Sequence, residues 1–227
     1  MNEQLFQRQE RVPQGVWRVW FVRHGQTAWN EQGRFCGHTD IPLSVRGGAQ
    51  AEWLARFLHI AITRPVHVYS SDLSRARETA NVLAAPFHVP VQTSPAWREI
   101  DFGAFEGLTY QEVETRFPGK LGFFMEPDRY APLDGESLTH VVERTQAALT
   151  QLMGNESPSH DSIVVSHGGT LRALLCTLLG MPLRRQWQLR VDTASVSAVD
   201  LSFDEHGSLL ATLLLLNMSE KYSGGVH

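Results

Sequence analysis

The feature that most constrains this chain is an apolar segment, residues 19–22 (Val-Trp-Phe-Val), which ends abruptly in Arg23-His24-Gly25. A short apolar run that stops at a glycine-containing turn is typical of a buried strand. We therefore expect a strand over about residues 16–22 that delivers an arginine and a histidine at its carboxyl end. In open α/β sheets, ligands bind at this end of the strands.

Two further segments repeat this passage from strand to helix. Residues 163–165 (Ile-Val-Val) run into Ser166-His167-Gly168-Gly169 and then into a leucine-rich helical segment. Residues 66–69 form a short apolar strand, and the helix after it, capped by Ser71 or Asp72, carries Arg75 in its first turn. Arg75 and Arg77 are two residues apart and cannot share a helix face, so only one of them can point at a site.

The remaining segments complete an α/β pattern. Amphipathic helices are predicted after Ser44 and Ser137, and the capping-box spacing of Thr109 and Glu112 predicts another. A short strand is expected at 89–92, and two terminal strands, 195–201 and 208–216, are expected to form a hairpin. The predicted fold is a three-layer α/β/α sandwich whose sheet is mostly parallel and has an antiparallel edge strand.

Composition limits the functional classes. The formal net charge is -4, from 20 basic and 24 acidic residues, which gives no support for nucleic-acid binding. The two cysteines, Cys36 and Cys176, are too few for a disulfide framework, and no apolar stretch reaches 18 residues. We expect a cytoplasmic protein without membrane contact, with an extension at 1–15, one domain at 16–218 and a polar tail at 219–227.

Three predicted strand ends carry groups that suit a phosphate. His24 can act as a nucleophile, and Arg23, Arg75 and His167 can neutralise phosphoryl oxygens, helped by backbone N–H groups at the helix start after His167. An acid must also protonate the leaving alkoxide. Glu99 is the favoured donor, although Asp101 and Glu106 lie close by in the same irregular segment.

At this point the chain resembles the histidine phosphatase superfamily, the phosphoglycerate-mutase-like proteins. The resemblance covers about residues 19–170, in order. The matching residues are Arg23-His24-Gly25-Gln26-Thr27 with Trp29-Asn30, Gly37 with Asp40, Ser71-Asp72-Leu73 with Arg75-Ala76, Glu99 with Phe102-Gly103, Glu106-Gly107, Gly135-Glu136-Ser137 and Ser166-His167-Gly168-Gly169.

The resemblance implies that His24 is phosphorylated, that Arg23, Arg75 and His167 bind the phosphate, and that Glu99 is the proton donor. It also implies that neither a metal nor another cofactor is used. The further substrate-binding residues expected from it and from the glycine-rich helix start are Asn30, Gln26, Cys36, Gly37 and Gly168. The aromatic residues Phe102, Phe105, Phe123 and Phe124 are expected in the core or a lid rather than as specific ligands.

Within the family, the interval from Glu99 to His167 is short and has no basic run for a bisphosphate. The resemblance is therefore nearest to alpha-ribazole phosphatases and small broad-specificity phosphatases, with a small phosphomonoester, such as alpha-ribazole 5′-phosphate, as substrate. A cofactor-dependent phosphoglycerate mutase and a sugar-phosphate phosphatase are the alternatives.

Two other classes compete with this interpretation. One is a zinc hydrolase with His24, His167 and Glu99 as ligands. The neighbouring arginines argue against it, because their positive charges would repel a divalent cation. The other is a binding module that retains the fold without catalysis, against which the complete set of candidate residues argues. The exposed edge of the terminal hairpin also suggests pairing into a homodimer.

Overall fold

The computed structural model describes residues 15–127 and 129–222. The rest of the predicted extension and tail, residues 1–14 and 223–227, lies outside the described residues. The strands are β1 (Trp17–Arg23), β2 (Val66–Ser70), β3 (Val91–Thr93), β4 (Asp161–Ser166), β5 (Val196–Phe203) and β6 (Leu209–Met218). The helices are α1 (Ala28–Glu31), α2 (Val45–Ala61), α3 (Ser74–Ala84), α4 (Tyr110–Arg116), α5 (Gly122–Met125), α6 (Leu138–Asn155) and α7 (Gly168–Leu178).

The six described strands form one sheet in the order β3-β2-β4-β1-β5-β6. β1 pairs in parallel with β4, and its register aligns Arg23 with Ser166. β5 runs antiparallel to both β1 and β6, so the terminal hairpin forms the antiparallel edge. This arrangement confirms the predicted fold class.

Alternate residues of β1 pack on opposite faces of the sheet because successive side chains in a strand point in opposite directions. Trp20 and Val22 pack with α2 and α3, and Leu54 and Leu58 of α2 are fully buried there. Val19 and Phe21 pack with α6 and α7 in a second core. The strand ends are therefore held between two helical layers, which fixes the groups that follow them.

Most predicted helix starts are confirmed, with one correction. Ser44 and Ser137 cap α2 and α6 through their side chains, and Thr109 forms a capping box with Glu112. The predicted cap of α3 was wrong, because Leu73 occupies the N-cap position and no side chain caps the helix. Asp72 instead forms a bidentate ion pair with Arg98.

A third buried cluster is formed mainly by the segments that follow β3. Phe105 and Phe123 pack there with Val113, Leu138 and Ala173. Between α4 and α6, residues 117–134 contain only the short helix α5 among their described residues. This cluster supports the wall of the cavity described below. Within residues 15–127 and 129–222, none of the helices has both the length and the apolar character needed to cross a bilayer.

Candidate active site

The carboxyl ends of β1 and β4 bring His24 and His167 together. Each histidine directly follows its strand, and the two strands are adjacent and in register. The two imidazole centroids are 5.0 Å apart with an angle of 61° between the rings. Both side chains are almost completely buried. The predicted convergence of the two strand ends is therefore present in the structure.

The tautomer of His24 follows from a single contact. Its Nδ1 lies 2.7 Å from the carbonyl oxygen of Gly25. A carbonyl can only accept, so Nδ1 carries the hydrogen and Nε2 keeps a lone pair. Burial, followed by the charges of Arg75 and Arg23, lowers the pKa of His24 well below 6.5. The imidazole is therefore neutral near pH 7, which is the form a nucleophile requires.

His167 has the opposite arrangement. Its Nδ1 accepts a hydrogen bond from Nε of Arg75 over 3.3 Å, which places the proton of the neutral ring on Nε2. Nε2 is buried and has no hydrogen-bond partner within the described residues. Burial and the charge of Arg75 lower the pKa of His167 well below 6.5. His167 thus presents an unused N–H donor while remaining neutral.

Arg75 is fully buried, whereas Arg77 on the same helix is exposed, as predicted for residues two apart. Its Nη atoms donate to the carbonyl oxygens of Gly37 at 2.6 Å and Thr39 at 3.0 Å. Arg75 therefore supplies positive charge, orients His167 and holds the 36–39 loop with one guanidinium group.

Arg23 also reaches this site with an unused donor. Nη1 donates to the carbonyl oxygen of Val191 at 2.8 Å, while Nε is buried without a partner in the described part of the chain. Burial and the charge of Arg172 lower its pKa to about 10. A Cβ on Gly168 would lie 3.1 Å from the Arg23 guanidinium carbon, so a larger residue there would push this guanidinium by a few tenths of an ångström.

Glu99 caps α7 from a distant part of the sequence. Its Oε1 accepts from the backbone N–H groups of Ile100 and Thr170, both at 2.9 Å, and its Oε2 accepts from that of Gly169 at 3.0 Å. Two backbone donors at the helix start, expected to bind phosphate, are therefore bonded to this carboxylate. The side chain is buried and lines the same cavity as His24.

The two alternative acids have other partners. Glu106 accepts from the backbone N–H groups of His38 and Thr39 at 2.6 Å and 2.7 Å and so holds the 36–39 loop. Asp101 accepts from the backbone N–H of Gly103 at 2.8 Å. Of the three acids, Glu99 alone contributes to the described lining of the cavity that contains His24.

The remaining predicted binding residues divide into two groups. Asn30, Cys36 and Gly168 line the cavity with His24. Burial raises the pKa of the Cys36 thiol to about 11, so it is not a thiolate near pH 7. Gln26 lies instead on a neighbouring cavity, and Gly37 contributes its carbonyl oxygen to Arg75 rather than a surface for substrate.

The cavity has a volume of about 170 Å³ and two chemically different walls. One wall carries the histidine, the arginines and Glu99. The other is aromatic and is formed by Phe35, Phe102, Phe123, Phe124 and Trp187. Three of the phenylalanines expected only in the core or a lid therefore also line the cavity, whereas Phe105 is fully buried in the core.

Sequence reasoning missed Arg34, Arg172 and Trp187, which all line the cavity. Arg172 lies one helical turn after Gly168, so its position on α7 was an available signal. The Arg172 guanidinium carbon stacks 5.0 Å from the Trp187 ring centroid, and Trp187 Nε1 donates to the Phe124 carbonyl oxygen at 3.2 Å. No local motif marked Trp187, because only the tertiary fold brings its segment to the cavity.

Comparison with known proteins agrees with this geometry. The profile of the histidine phosphatase superfamily (branch 1) matches residues 19–213. Over 202 residues the chain is 32% identical to the adenosylcobalamin/alpha-ribazole phosphatase of Escherichia coli, covering 88% of this chain and 95% of that protein. It is 36% identical over 187 residues to a protein of Proteus mirabilis named probable phosphoglycerate mutase GpmB, covering 81% and 84%.

Solved structures show the same similarity. The alpha-ribazole phosphatase of Shigella flexneri matches with a TM-score of 0.76 and 29% identity, over 88% of this chain and 96% of that chain. A mycobacterial glucosyl-3-phosphoglycerate phosphatase matches with a TM-score of 0.81 and 30% identity, over 90% and 100%. The strand ends, the buried histidine pair and these matches lead to one conclusion: the chain belongs to the histidine phosphatase superfamily.

Proposed function

We propose that this protein hydrolyses a small phosphomonoester through a phosphohistidine formed on His24. The main support is a pair of buried donors, Arg23 Nε and His167 Nε2, that have no partner within the described residues. Buried donors are normally hydrogen-bonded, and leaving one unsatisfied costs about 1–3 kcal/mol. A phosphoryl group facing His24 offers acceptor oxygens to both.

In the first step, the lone pair on His24 Nε2 attacks phosphorus and the bond from phosphorus to the ester oxygen breaks. Arg23 and His167 donate to the non-bridging oxygens, and the charge of Arg75 adds to the field. Glu99 in its protonated form gives its proton to the leaving oxygen. Its Oε2 accepts one hydrogen bond, from Gly169 N, among the described residues, so a lone pair remains to carry that proton.

In the second step, water attacks the phosphorus of phosphohistidine while ionised Glu99 accepts a proton from that water. The bond between phosphorus and Nε2 breaks, inorganic phosphate forms, and His24 returns to its neutral state. The protein's own residues therefore supply the nucleophile, the anion-binding donors and the proton carrier. In this proposal a chelator leaves the reaction rate unchanged.

The aromatic wall favours a leaving group with a flat apolar ring. Trp187 is half exposed at the cavity and can stack on such a ring, which is worth about 0.5–1.5 kcal/mol for an aromatic pair. Alpha-ribazole 5′-phosphate has this character, and relatives named alpha-ribazole phosphatase match most of the chain. We propose it as the first substrate to test, with sugar phosphates as the alternative phosphatase substrates.

A mutase activity is the second candidate, because one relative is named probable phosphoglycerate mutase. A mutase must return the phosphoryl group to the organic product rather than to water. Incubation with 3-phosphoglycerate, with and without 2,3-bisphosphoglycerate, separates the two activities. Release of phosphate without isomerisation supports the phosphatase.

The deciding experiment traps the intermediate. We expect acid-labile, base-stable labelling from a ³²P-labelled substrate in the wild type and none in His24→Ala, whose turnover falls by roughly 10⁴-fold or more, as for other removed nucleophiles. His206→Ala, at an exposed turn of the terminal hairpin, is the control and keeps both labelling and turnover. Labelling that survives in His24→Ala contradicts the proposal.

A further inference from the structure

A second cluster of side chains that could bind a metal lies at the amino ends of the parallel strands. The active site lies at their carboxyl ends. The cluster consists of His67, Glu156 and His160, whose potential ligand atoms all lie within 4.8 Å of one another. His67 is the second residue of β2, and His160 immediately precedes β4. Seven residue steps along β4 separate His160 from His167, which corresponds to about 23 Å of strand.

The three residues come from different elements that meet at the amino ends of the parallel strands. Glu156 is the C-cap residue of α6, and its own N–H is bonded to Leu152 O at 2.9 Å. The backbone of His160 is fixed by its N–H, which donates to Ser157 O at 3.0 Å. The ligand atoms are therefore presented by a strand, a helix end and a tight turn rather than by a mobile segment.

Two buried ring nitrogens of the cluster, His67 Nδ1 and His160 Nδ1, form no hydrogen bond within the described residues. Nδ1 of His67 contacts Glu156 Oε2, so that carboxylate oxygen is directed into the cluster. An ion placed between the three groups would take a lone pair from each and satisfy the nitrogen of His160.

The surroundings of Glu156 resemble the support that a ligating carboxylate needs. The hydroxyl of Tyr69 contacts the other carboxylate oxygen, Oε1, and Nε1 of Trp17 donates to the main-chain oxygen of Glu156 at 3.0 Å. Such outer contacts fix the orientation of a ligand and leave one oxygen for the metal. The neighbouring Asp161 is paired with Arg64 and Trp20, so the charge of that arginine is already compensated.

The donor set selects the kind of ion. Two imidazole nitrogens and one carboxylate oxygen suit Zn²⁺ and related divalent transition metals, and such sites hold a water at the remaining position. Tetrahedral bonds of about 2.1 Å place ligand atoms about 3.4 Å apart, which small side-chain rotations can reach from the present spacing. We propose that His67, Glu156 and His160 bind one Zn²⁺ that fastens the end of α6 to the sheet.

The test uses the full chain without a histidine tag, first stripped with chelator and then titrated with Zn²⁺ against a chromophoric competitor. We expect one equivalent to bind in the wild type and the affinity to fall at least about 10-fold in His160→Ala and in Glu156→Gln. The same metal raises the midpoint of thermal unfolding of the wild type and not of these variants. Co²⁺ gives a visible absorption band of a tetrahedral site only in proteins with the intact cluster.

Two controls locate the bound metal. His140→Ala, an exposed histidine near the other end of α6, is expected to bind as the wild type does. His24→Ala removes an active-site imidazole, so retained binding in that variant excludes the catalytic histidines as the ligands. Glu156→Gln preserves side-chain shape, and its circular dichroism shows whether the fold is intact. Absence of saturable binding in the wild type, or unchanged binding in folded Glu156→Gln and His160→Ala, overturns the proposal.

Discussion

Nε of Arg75 donates a hydrogen bond to Nδ1 of His167 over 3.3 Å, and this contact decides which nitrogen of the imidazole faces the cavity. Because Nδ1 accepts, the neutral ring carries its proton on Nε2, the atom that lacks a partner within the described residues. An arginine expected only to bind phosphate therefore also sets the tautomer of a neighbouring donor. The same guanidinium holds the 36–39 loop, so its removal has several consequences.

Replacement of Arg75 tests this combined role. We expect Arg75→Ala to lower kcat by about 10²-fold, because both its charge and its orientation of the His167 donor are lost, and to weaken inhibition by phosphate or vanadate. The Arg75 charge is one of the factors that lower the pKa of His24, so the acid limb of the kcat/KM profile moves to higher pH. Arg75→Lys keeps a charge but loses the fork-shaped donor set, so it restores little activity.

Arg77→Ala is the matched control for Arg75→Ala. Arg77 lies on the same helix and is exposed, so its removal should leave both kinetic constants unchanged. A rise in KM for Arg75→Ala with intact kcat would show that Arg75 binds the ground state and the transition state equally and has no specific transition-state role.

Glu99→Gln separates proton donation from helix capping. The phosphorylation step, followed as the pre-steady-state release of the leaving group, should slow by about 10²–10⁴-fold with an alkyl phosphate, whereas p-nitrophenyl phosphate, whose leaving group needs no proton, should phosphorylate His24 at nearly the normal rate. The backbone N–H groups of Ile100, Gly169 and Thr170 donate to two carboxylate oxygens, whereas the amide of glutamine has only one oxygen. We therefore also expect the free energy of unfolding in urea to fall by about 1–2 kcal/mol.

The pair of substrates provides the internal control for Glu99→Gln. Both are assayed on the same enzyme preparation, so loss of folded protein affects them equally. An equal slowing of the phosphorylation step with both substrates would remove the acid role from Glu99 and return it to Asp101 or Glu106.

Trp187→Ala tests the assignment of the aromatic wall. We expect the KM for alpha-ribazole 5′-phosphate to rise by about 2- to 10-fold, because a stacking contact of about 0.5–1.5 kcal/mol is lost. The kinetic constants for glycerol phosphate, which has no ring, should change little. Phe203→Ala is the control, since Phe203 is exposed on the terminal hairpin and packs on Trp17. Equal changes for both substrates would indicate that the wall does not contact the leaving group.

Stability should depend on pH through the buried histidines. His24 and His167 have folded-state pKa values well below 6.5, so below that pH the unfolded chain binds protons that the folded chain does not. Below pH 6.5 each histidine therefore lowers the free energy of unfolding by about 1.4 kcal/mol per pH unit, until the pH reaches its folded-state pKa. Above pH 6.5 both states are neutral at these positions and the contribution vanishes.

The measurement compares the wild type with His167→Gln by urea unfolding between pH 7.5 and 5. The glutamine does not titrate, so the variant should lose about 1 kcal/mol less than the wild type between pH 7 and 5.5. All other titrating groups are common to both proteins and cancel in the difference. Parallel stability curves would show that His167 is not held neutral by the fold.

Much of the architecture could be predicted because local patterns are physically specific. The apolar run before Arg23 forms β1, Ser44 and Ser137 start the helices that they precede, and Thr109 forms its capping box. The cap of α3 was mispredicted because Asp72 is bonded to Arg98, a partner 26 residues away that no local pattern reveals. Dimerisation through the hairpin edge stays a prediction.

The sequence by itself determined the chemistry available to this protein, because residue types and strand periodicity place His24, Arg75 and His167 at the same edge of a parallel sheet. Only the tertiary structure decided how these groups are used. The tautomers of the two imidazoles, the capping of α7 by Glu99 and the aromatic wall at Trp187 all depend on contacts between segments far apart in sequence. Hydrogen bonds and packing act over a few ångströms in space, and for residues far apart in the sequence their separation along the chain does not predict that distance.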